Sequence, residues 1–248
     1  MGESGRSTAR CVAGFSVKKK ILVVSHERSG THFLINALAC NFGYSVQQVD
    51  MDNSQGIDWK NGEEERAWFE AYRGGVTPRI FKSHHVYAFL EPLMPDLLDD
   101  FHVFYIERDG RDVMISFWVY LNRLAPGWGP RSATVGEFMR SKAVGGLTQY
   151  QYHDKSITML QRWVEHLEGW NKAAPGVHRV SYEQLYSGFE RQMQSIAGLL
   201  DEPLAVPKRP GMDAPSSLPW KGGVGAWKEF FNDADEHYFN SCARNGER

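Results

Sequence analysis

The sequence predicts an α/β protein, a single domain with a central parallel β-sheet flanked by helices, and three stretches carry that expectation. Ile21 to Val24 is a short apolar run that meets a polar turn from Ser25 to Thr31, after which Phe33, Leu34, Ala37 and Leu38 recur at helical spacing. Phe101 to Ile106 repeats the pattern, passing through a charged turn into an apolar stripe that begins at Val113. Val177 to Ser181 does so a third time before the periodic segment from Tyr182. Strands that alternate with helices build a parallel sheet covered on both faces, with ligands at the carboxyl ends of the strands.

At 248 residues the chain is long enough to bury one large core. Residues 1–17 are expected to be a disordered lead-in, and residues 18–248 the folded domain. With 28 Lys and Arg against 30 Asp and Glu, the formal net charge is −2, so no global basic field points to nucleic acid or to an anionic membrane surface. Any anion site has to be a local cluster. Cys11, Cys40 and Cys242 are widely spaced and suggest neither a disulfide framework nor a zinc site, so a reducing cytoplasm is the expected location. No apolar run approaches the length of a membrane span.

In chain order, Lys18 to Lys20 read as the solvated start of the first strand, and Asn41 and Gly43 end the first helix. Residues 45–62 are polar and irregular, with Gly56, Asn61 and Gly62 as breakers; an acidic helix start follows at Glu63 to Glu65 and runs to about Tyr72, Trp68 and Phe69 facing the core. Arg79 to His85 is a short strand that ends in basic and hydroxyl side chains. Pro92 and Pro95 mark a loop or short helix, and after the strand at Phe101 to Ile106, Asp109 is the expected N-cap of a helix with Val113, Phe117, Tyr120, Leu121 and Leu124 on its apolar side. Residues 125–153, rich in Gly and aromatics, read as a mobile segment with one short helix near Val135 to Ser141. A helix is expected over Asp154 to Ala173, with Ile157, Leu160, Trp163, Val164, Leu167 and Trp170 on one side. A second long helix should cover Tyr182 to Leu200. Pro207 to Ala226 is irregular, and Trp227 to about Ala243 is the closing helix.

The chemistry starts at the first turn. Its amides sit at a helix N-terminus, where unpaired N–H groups and the macrodipole favour an anion, and Arg28 and the hydroxyls of Ser29 and Thr31 lie in the same turn. The turn is P-loop-like but not a P-loop, because only Gly30 is present and Thr31 and His32 follow it where Lys and Ser/Thr belong. Without that Lys a nucleotide triphosphate loses its main charge clamp. Another phosphate-bearing donor is expected.

Arg28, Ser29, Gly30, Thr31, His32 and Phe33 after a strand resemble the 5′-phosphosulfate loop of the sulfotransferase family, usually K-S-G-T-T-W. Arg108 after a strand, with Ser116 eight residues on in the following helix, is similar to the family's 3′-phosphate motif, and two helical turns bring that pair to one side. Lys82, Ser83 and His84 are similar to its K-T-H segment, Tyr182 and Glu183 to its Y-E-D segment, and Lys221, Gly222, Gly225, Trp227 and Lys228 to its late loop. The resemblance spans roughly residues 20 to 230, closer to the cytosolic than to the Golgi carbohydrate branch.

The resemblance implies a transferase that takes a sulfuryl group from 3′-phosphoadenosine 5′-phosphosulfate (PAPS) to a hydroxyl of a small or lipid-like acceptor, without a metal. It implies His84 as general base, Lys82 and Arg28 stabilising charge at the leaving phosphate, and Arg28, Ser29, Gly30, Thr31 and His32 around the 5′ end. Arg108, Ser116, Lys221 and Gly222 would hold the 3′-phosphate, and Phe33 and Tyr182 would contact the base. His85, on alternating strand geometry, should point away from His84. Three residues depart from the family pattern: Arg28 replaces Lys, Phe33 replaces Trp, and Trp220 stands where an Arg is usual. The alternatives are a P-loop-like small-molecule kinase and a catalytically silent nucleotide-binding protein of the same fold. A homodimer is left open, since Lys228 to His237 matches poorly the segment through which cytosolic members pair.

Overall fold

The computed structural model describes residues 18–45, 49–52, 63, 64, 67, 71, 79–149, 156–173, 175–211 and 223–245. Its sheet has five parallel strands in the order β2-β3-β1-β4-β5, formed by β1 (Lys20–Val24), β2 (Val49–Asp50), β3 (Ile80–Ser83), β4 (Phe101–Glu107) and β5 (Val177–Ser181). β1 lies in the middle and is paired on both edges, which is why its apolar run is continuous rather than alternating.

The pleat sends alternate residues of β1 to two cores. Ile21 and Val23 pack with α1 (Thr31–Phe42) and with the helices that follow β5, through Leu34, Leu38, Leu185 and Phe189. Leu22 and Val24 pack on the other face with α2 (Tyr87–Leu90), α3 (Met94–Asp100) and Trp170. Ile21, Leu22, Val23 and Val24 are all fully buried, each contributing roughly 1.5–3 kcal/mol from removal of apolar surface. A third cluster joins α4 (Gly110–Arg123), α5 (Val135–Arg140), α6 (Met159–Asn171) and α9 (Asp233–Asn245) around Phe117, Phe138 and Trp163.

Most elements sit where the periodicity puts them. Gly43, with φ of 67°, ends α1, and the Asp109 side chain accepts from Arg111 N at the start of α4. The short helix inside residues 125–153 is α5, opened by a capping box between Thr134 and Glu137. Glu63, Glu64, Ala67 and Ala71 are helical, whereas Trp68, Phe69 and Trp220 lie outside the described residues.

Four expectations are corrected. The helix expected from Asp154 begins at Met159, because Thr158 forms a capping box with Gln161 while its backbone bridges to Lys142. The single helix from Tyr182 to Leu200 is two, α7 (Tyr182–Ser187) and α8 (Phe189–Leu200), broken at Gly188. The closing helix is likewise divided into a 3₁₀ turn (Ala226–Glu229) and α9, whose start is capped by Asn232 Oδ1 accepting from Asp235 N at 2.9 Å. Leu124, assigned to the apolar side of α4, is 49% exposed, since it falls on the cap residue rather than within the buried stripe.

Candidate active site

Three strand ends meet at the site. Ser25 N donates to the Ser83 carbonyl at 3.2 Å, tying the turn after β1 to the end of β3. Within that turn Arg28 (φ 68°) and Gly30 (φ 97°) both take left-handed backbone. At Gly30 no other residue fits, because a Cβ there would run into the Tyr182 ring. Among the described residues the N-terminus of α1 has no side-chain cap, a helix end of the kind that can take an anion. The Thr31 hydroxyl lies 2.6 Å from that of Ser25.

Lys82 and His84 stand at the end of β3. The Lys82 ammonium pairs with Asp50 at 2.9 Å and lies 3.7 Å from Asp52. His84 is buried, and its Nδ1 lies 2.8 Å from the Ser25 carbonyl oxygen. A carbonyl only accepts, so Nδ1 carries the proton. Burial, helped by the Lys82 charge, pushes the ring's pKa below its ordinary value, which favours the neutral tautomer with its lone pair on Nε2.

His85 turns elsewhere, in line with strand alternation. Its Nδ1 is 2.9 Å from Asp52 Oδ1 and 2.6 Å from the Ser83 hydroxyl, and its ring stacks on Phe89 with centroids 4.2 Å apart. Asp52 therefore organises this corner. Its two oxygens accept from the His84 backbone N at 2.9 and 3.0 Å, and Oδ1 also accepts from Ser83. Burial pushes the Asp52 carboxyl up, but the His85 hydrogen bond first, with the nearby His84 and His85 rings and the Lys82 ammonium, outweighs it and holds the group well below the usual carboxylate range.

On the other side of the turn, Arg28 Nε donates to Ser116 Oγ at 3.1 Å, and the guanidinium covers Tyr120 at 4.8 Å. Burial and the neighbouring Arg108 push the Arg28 pKa down to about 10, which leaves it charged near neutrality. Arg108 is buried; it donates through Nη1 to the Arg28 carbonyl at 3.2 Å and through Nη2 to the Gly223 carbonyl at 3.1 Å. Its plane lies 4.4 Å from the Tyr182 ring centroid, and its Nε is buried without a hydrogen-bond partner among the described residues. Tyr182 OH accepts from Gly223 N at 3.2 Å. His32 is influenced by both groups: burial first, then the charges of Lys82 and Arg28 with the His84 ring, push its pKa down to about 4.

The fold thus gathers Arg28, Gly30, Arg108, Ser116 and Tyr182 into one cluster, and Thr31, Lys82 and His84 into an adjoining one. Phe33 packs edge-on to Tyr182 at 6.1 Å. Ser29 is buried, its N donating to the His26 carbonyl at 3.2 Å. Lys221 and Gly222 lie outside the described residues, although the next residue, Gly223, touches both Arg108 and Tyr182.

Several contributors were not singled out from the sequence. Asp52 is one; Asp112 is another, a buried carboxylate that accepts from Gly225 N at 2.7 Å and Trp227 N at 3.0 Å and so fastens the late loop to α4. Its place four residues after Arg108 was the available signal. Beneath the turn, Glu27 Oε1 accepts from the buried Arg162 at 2.5 Å, beside His26 and His166. Among the described residues no helix is long and apolar enough to cross a membrane.

Comparison with known proteins bears on the family and the fold. A model of the sulfotransferase domain matches residues 18–218. Among solved structures, the chain is similar to mouse sulfotransferase SULT7A1 complexed with PAP, with a TM-score of 0.64 and 17% identity over 94% of this chain and 86% of that one. It is also similar to retinol dehydratase in a complex with retinol and PAP, with a TM-score of 0.62 and 17% identity over 92% of this chain and 81% of the other. No curated protein matches the chain in sequence.

Proposed function

The chain belongs to the sulfotransferase family, and from that premise we propose that it transfers a sulfuryl group from PAPS to a hydroxyl of a small or lipid-like acceptor, releasing adenosine 3′,5′-bisphosphate. The residues present fit such a donor. The N-terminus of α1, uncapped among the described residues, offers amides to a 5′-phosphosulfate, and the buried Arg108 Nε, without a partner among those residues, is what a bound anion would satisfy.

The observation that carries the reading is the hydrogen bond from His84 to Ser25. It gives His84 the tautomer that a general base needs, with the Nε2 lone pair available to take the proton of the acceptor hydroxyl as the new S–O bond forms and the bond to the 5′-phosphate breaks. Lys82 and Arg28 would stabilise the charge left on that phosphate, each donor typically worth about 3 kcal/mol in the transition state. Asp50 and Asp52 hold Lys82 meanwhile.

At the 3′ end, Ser116 Oγ accepts from Arg28 Nε, which directs its own proton outward to donate to a phosphate oxygen. Arg108 and Ser116 would share that phosphate with Lys221 and the amide of Gly222. Phe33 and Tyr182 would contact the base. Arg28 thereby links the two ends of the donor, a role its planar fork suits better than a Lys point charge.

The test is transfer of labelled sulfate from PAPS to a panel of alcohols and phenols, with melting temperature read alongside. Stabilisation by adenosine 3′,5′-bisphosphate and product formation are expected. Mg²⁺-dependent stabilisation by ATP in place of either would favour the kinase reading instead.

A further inference from the structure

The anion cluster runs directly into a group of rings. Tyr182 lies under the Arg108 guanidinium, Tyr186 stacks on Tyr182 with centroids 5.8 Å apart and planes at 26°, and Phe33 lies 6.1 Å from Tyr182 and 6.0 Å from Phe189. A second guanidinium covers these rings. Arg209 lies 4.9 Å from the Tyr186 centroid, 5.4 Å from that of Phe33 and 5.5 Å from that of Phe189.

Arg209 is held there by its loop. Lys208 N donates to Asn41 Oδ1 at 2.6 Å, Asn41 Nδ2 returns a bond to the Lys208 carbonyl at 2.8 Å, and Arg209 Nη2 donates to the Tyr186 carbonyl at 2.8 Å. Among the described residues it has no carboxylate within ion-pair distance, and the side chain is exposed, so neither an ion pair nor the core accounts for an arginine at this place. Tyr186 is itself 37% exposed. What remains is a flat cation set over rings one side chain away from a phosphate-binding arginine.

An aromatic face and a guanidinium plane both stack on flat π-systems. A ligand that places an anion on Arg108 and a ring on this platform is a nucleotide. We propose that Arg209, supported by Tyr186, forms the outer wall of the nucleobase pocket and gives the site its preference for a two-ring base, an inference that rests on the donor reading above. Where Phe33 offers less area than a Trp, the Arg209 plane supplies more stacking surface.

Isothermal titration with adenosine 3′,5′-bisphosphate, with its cytidine counterpart and with the same bisphosphate lacking a base separates the possibilities. Arg209→Ala should weaken the adenosine ligand roughly tenfold, and weaken the base-free ligand less than about twofold. Arg209→Lys, which keeps the charge but not the plane, should lose most of the same affinity, and Tyr186→Leu should narrow the gap between adenosine and cytidine ligands. Melting temperatures near that of the parent would show that the variants fold. Equal weakening of all three ligands would make Arg209 a phosphate cation and overturn the inference, as would no change at all. If the unaltered chain binds none of them, the donor reading itself falls and this inference with it; binding of all three by the parent isolates a failure to Arg209.

Discussion

His84 donates its Nδ1 proton to the carbonyl oxygen of Ser25, 2.8 Å away, so the end of β1 fixes the tautomer of a side chain at the end of β3. Because burial lowers the pKa of this ring below the ordinary 6.5, the base form persists into mild acid. For the transfer reaction, kcat/KM is expected to stay level from pH 8 to about 6.5 and to fall only below that. A pH–rate profile checks this; an acid limb centred above pH 7 would assign the base elsewhere. His84→Ala should lower turnover by roughly 10²–10⁴-fold while leaving binding of adenosine 3′,5′-bisphosphate intact.

Asp52 supports the same ring from behind, through the His84 backbone N, His85 and Lys82. Asp52→Asn keeps the shape but removes the charge and part of the accepting capacity. Urea unfolding should show a loss of about 1.5–3 kcal/mol, as for a hydrogen bond to a buried charge. Since the Asp52 charge favours protonated His84, the variant's acid limb should also move to lower pH. General damage to the fold gives no reason for that direction.

Gly30 and Gly43 form a controlled comparison. Both have positive φ, but among the described residues a Cβ at Gly43 meets nothing within 4 Å, whereas one at Gly30 meets the Tyr182 ring. Gly43→Ala should cost about 1–2 kcal/mol, the backbone penalty alone, and leave ligand binding unchanged. Gly30→Ala should cost more and weaken adenosine 3′,5′-bisphosphate at least tenfold, because displacing Tyr182 also displaces the Arg108 and Gly223 that lean on it. Calorimetric titration of the two variants, beside their melting curves, distinguishes these outcomes.

The elements that were legible are those whose signal is local. A strand, a turn and a helix start occupy consecutive residues from Ile21 to Leu38, and Arg108 and Ser116 share one strand-to-helix unit, so periodicity and motif spacing reach them. Asp52 lies in a stretch that reads as irregular, and its hydrogen bond to His84 joins residues 32 apart. The Glu27 to Arg162 pair spans 135 residues and the Asp112 to Gly225 bond 113. Such pairings form only when the sheet brings distant segments together; the i,i+4 spacing from Arg108 marks Asp112 itself, but nothing local marks its bond to the late loop. The misplaced helix ends at Met159 and Gly188 have a different cause: apolar spacing continues across both points, and capping chemistry rather than hydrophobicity decides where the turns stop.

His26 gives the fold a pH dependence of its own. It is fully enclosed, edge-on to Phe117 and His166, and burial pushes its pKa down to about 4, with the Arg162 charge adding to the effect and Glu27 opposing it. The unfolded chain binds this proton near pH 6.5, so between 6.5 and 4 the unfolded state carries more protons than the folded one. Stability contributed by the neutral ring is therefore complete above pH 6.5 and lost as pH falls toward 4, on the order of 3 kcal/mol over the whole window. His32, lowered to about 4, and His84 act in the same direction. Urea midpoints measured at pH 7, 6 and 5 should decline stepwise, and His26→Leu, whatever packing it costs, should decline less steeply over the same range. A parent protein equally stable at pH 7 and pH 5 would mean that water or a local opening lets His26 titrate normally within the fold.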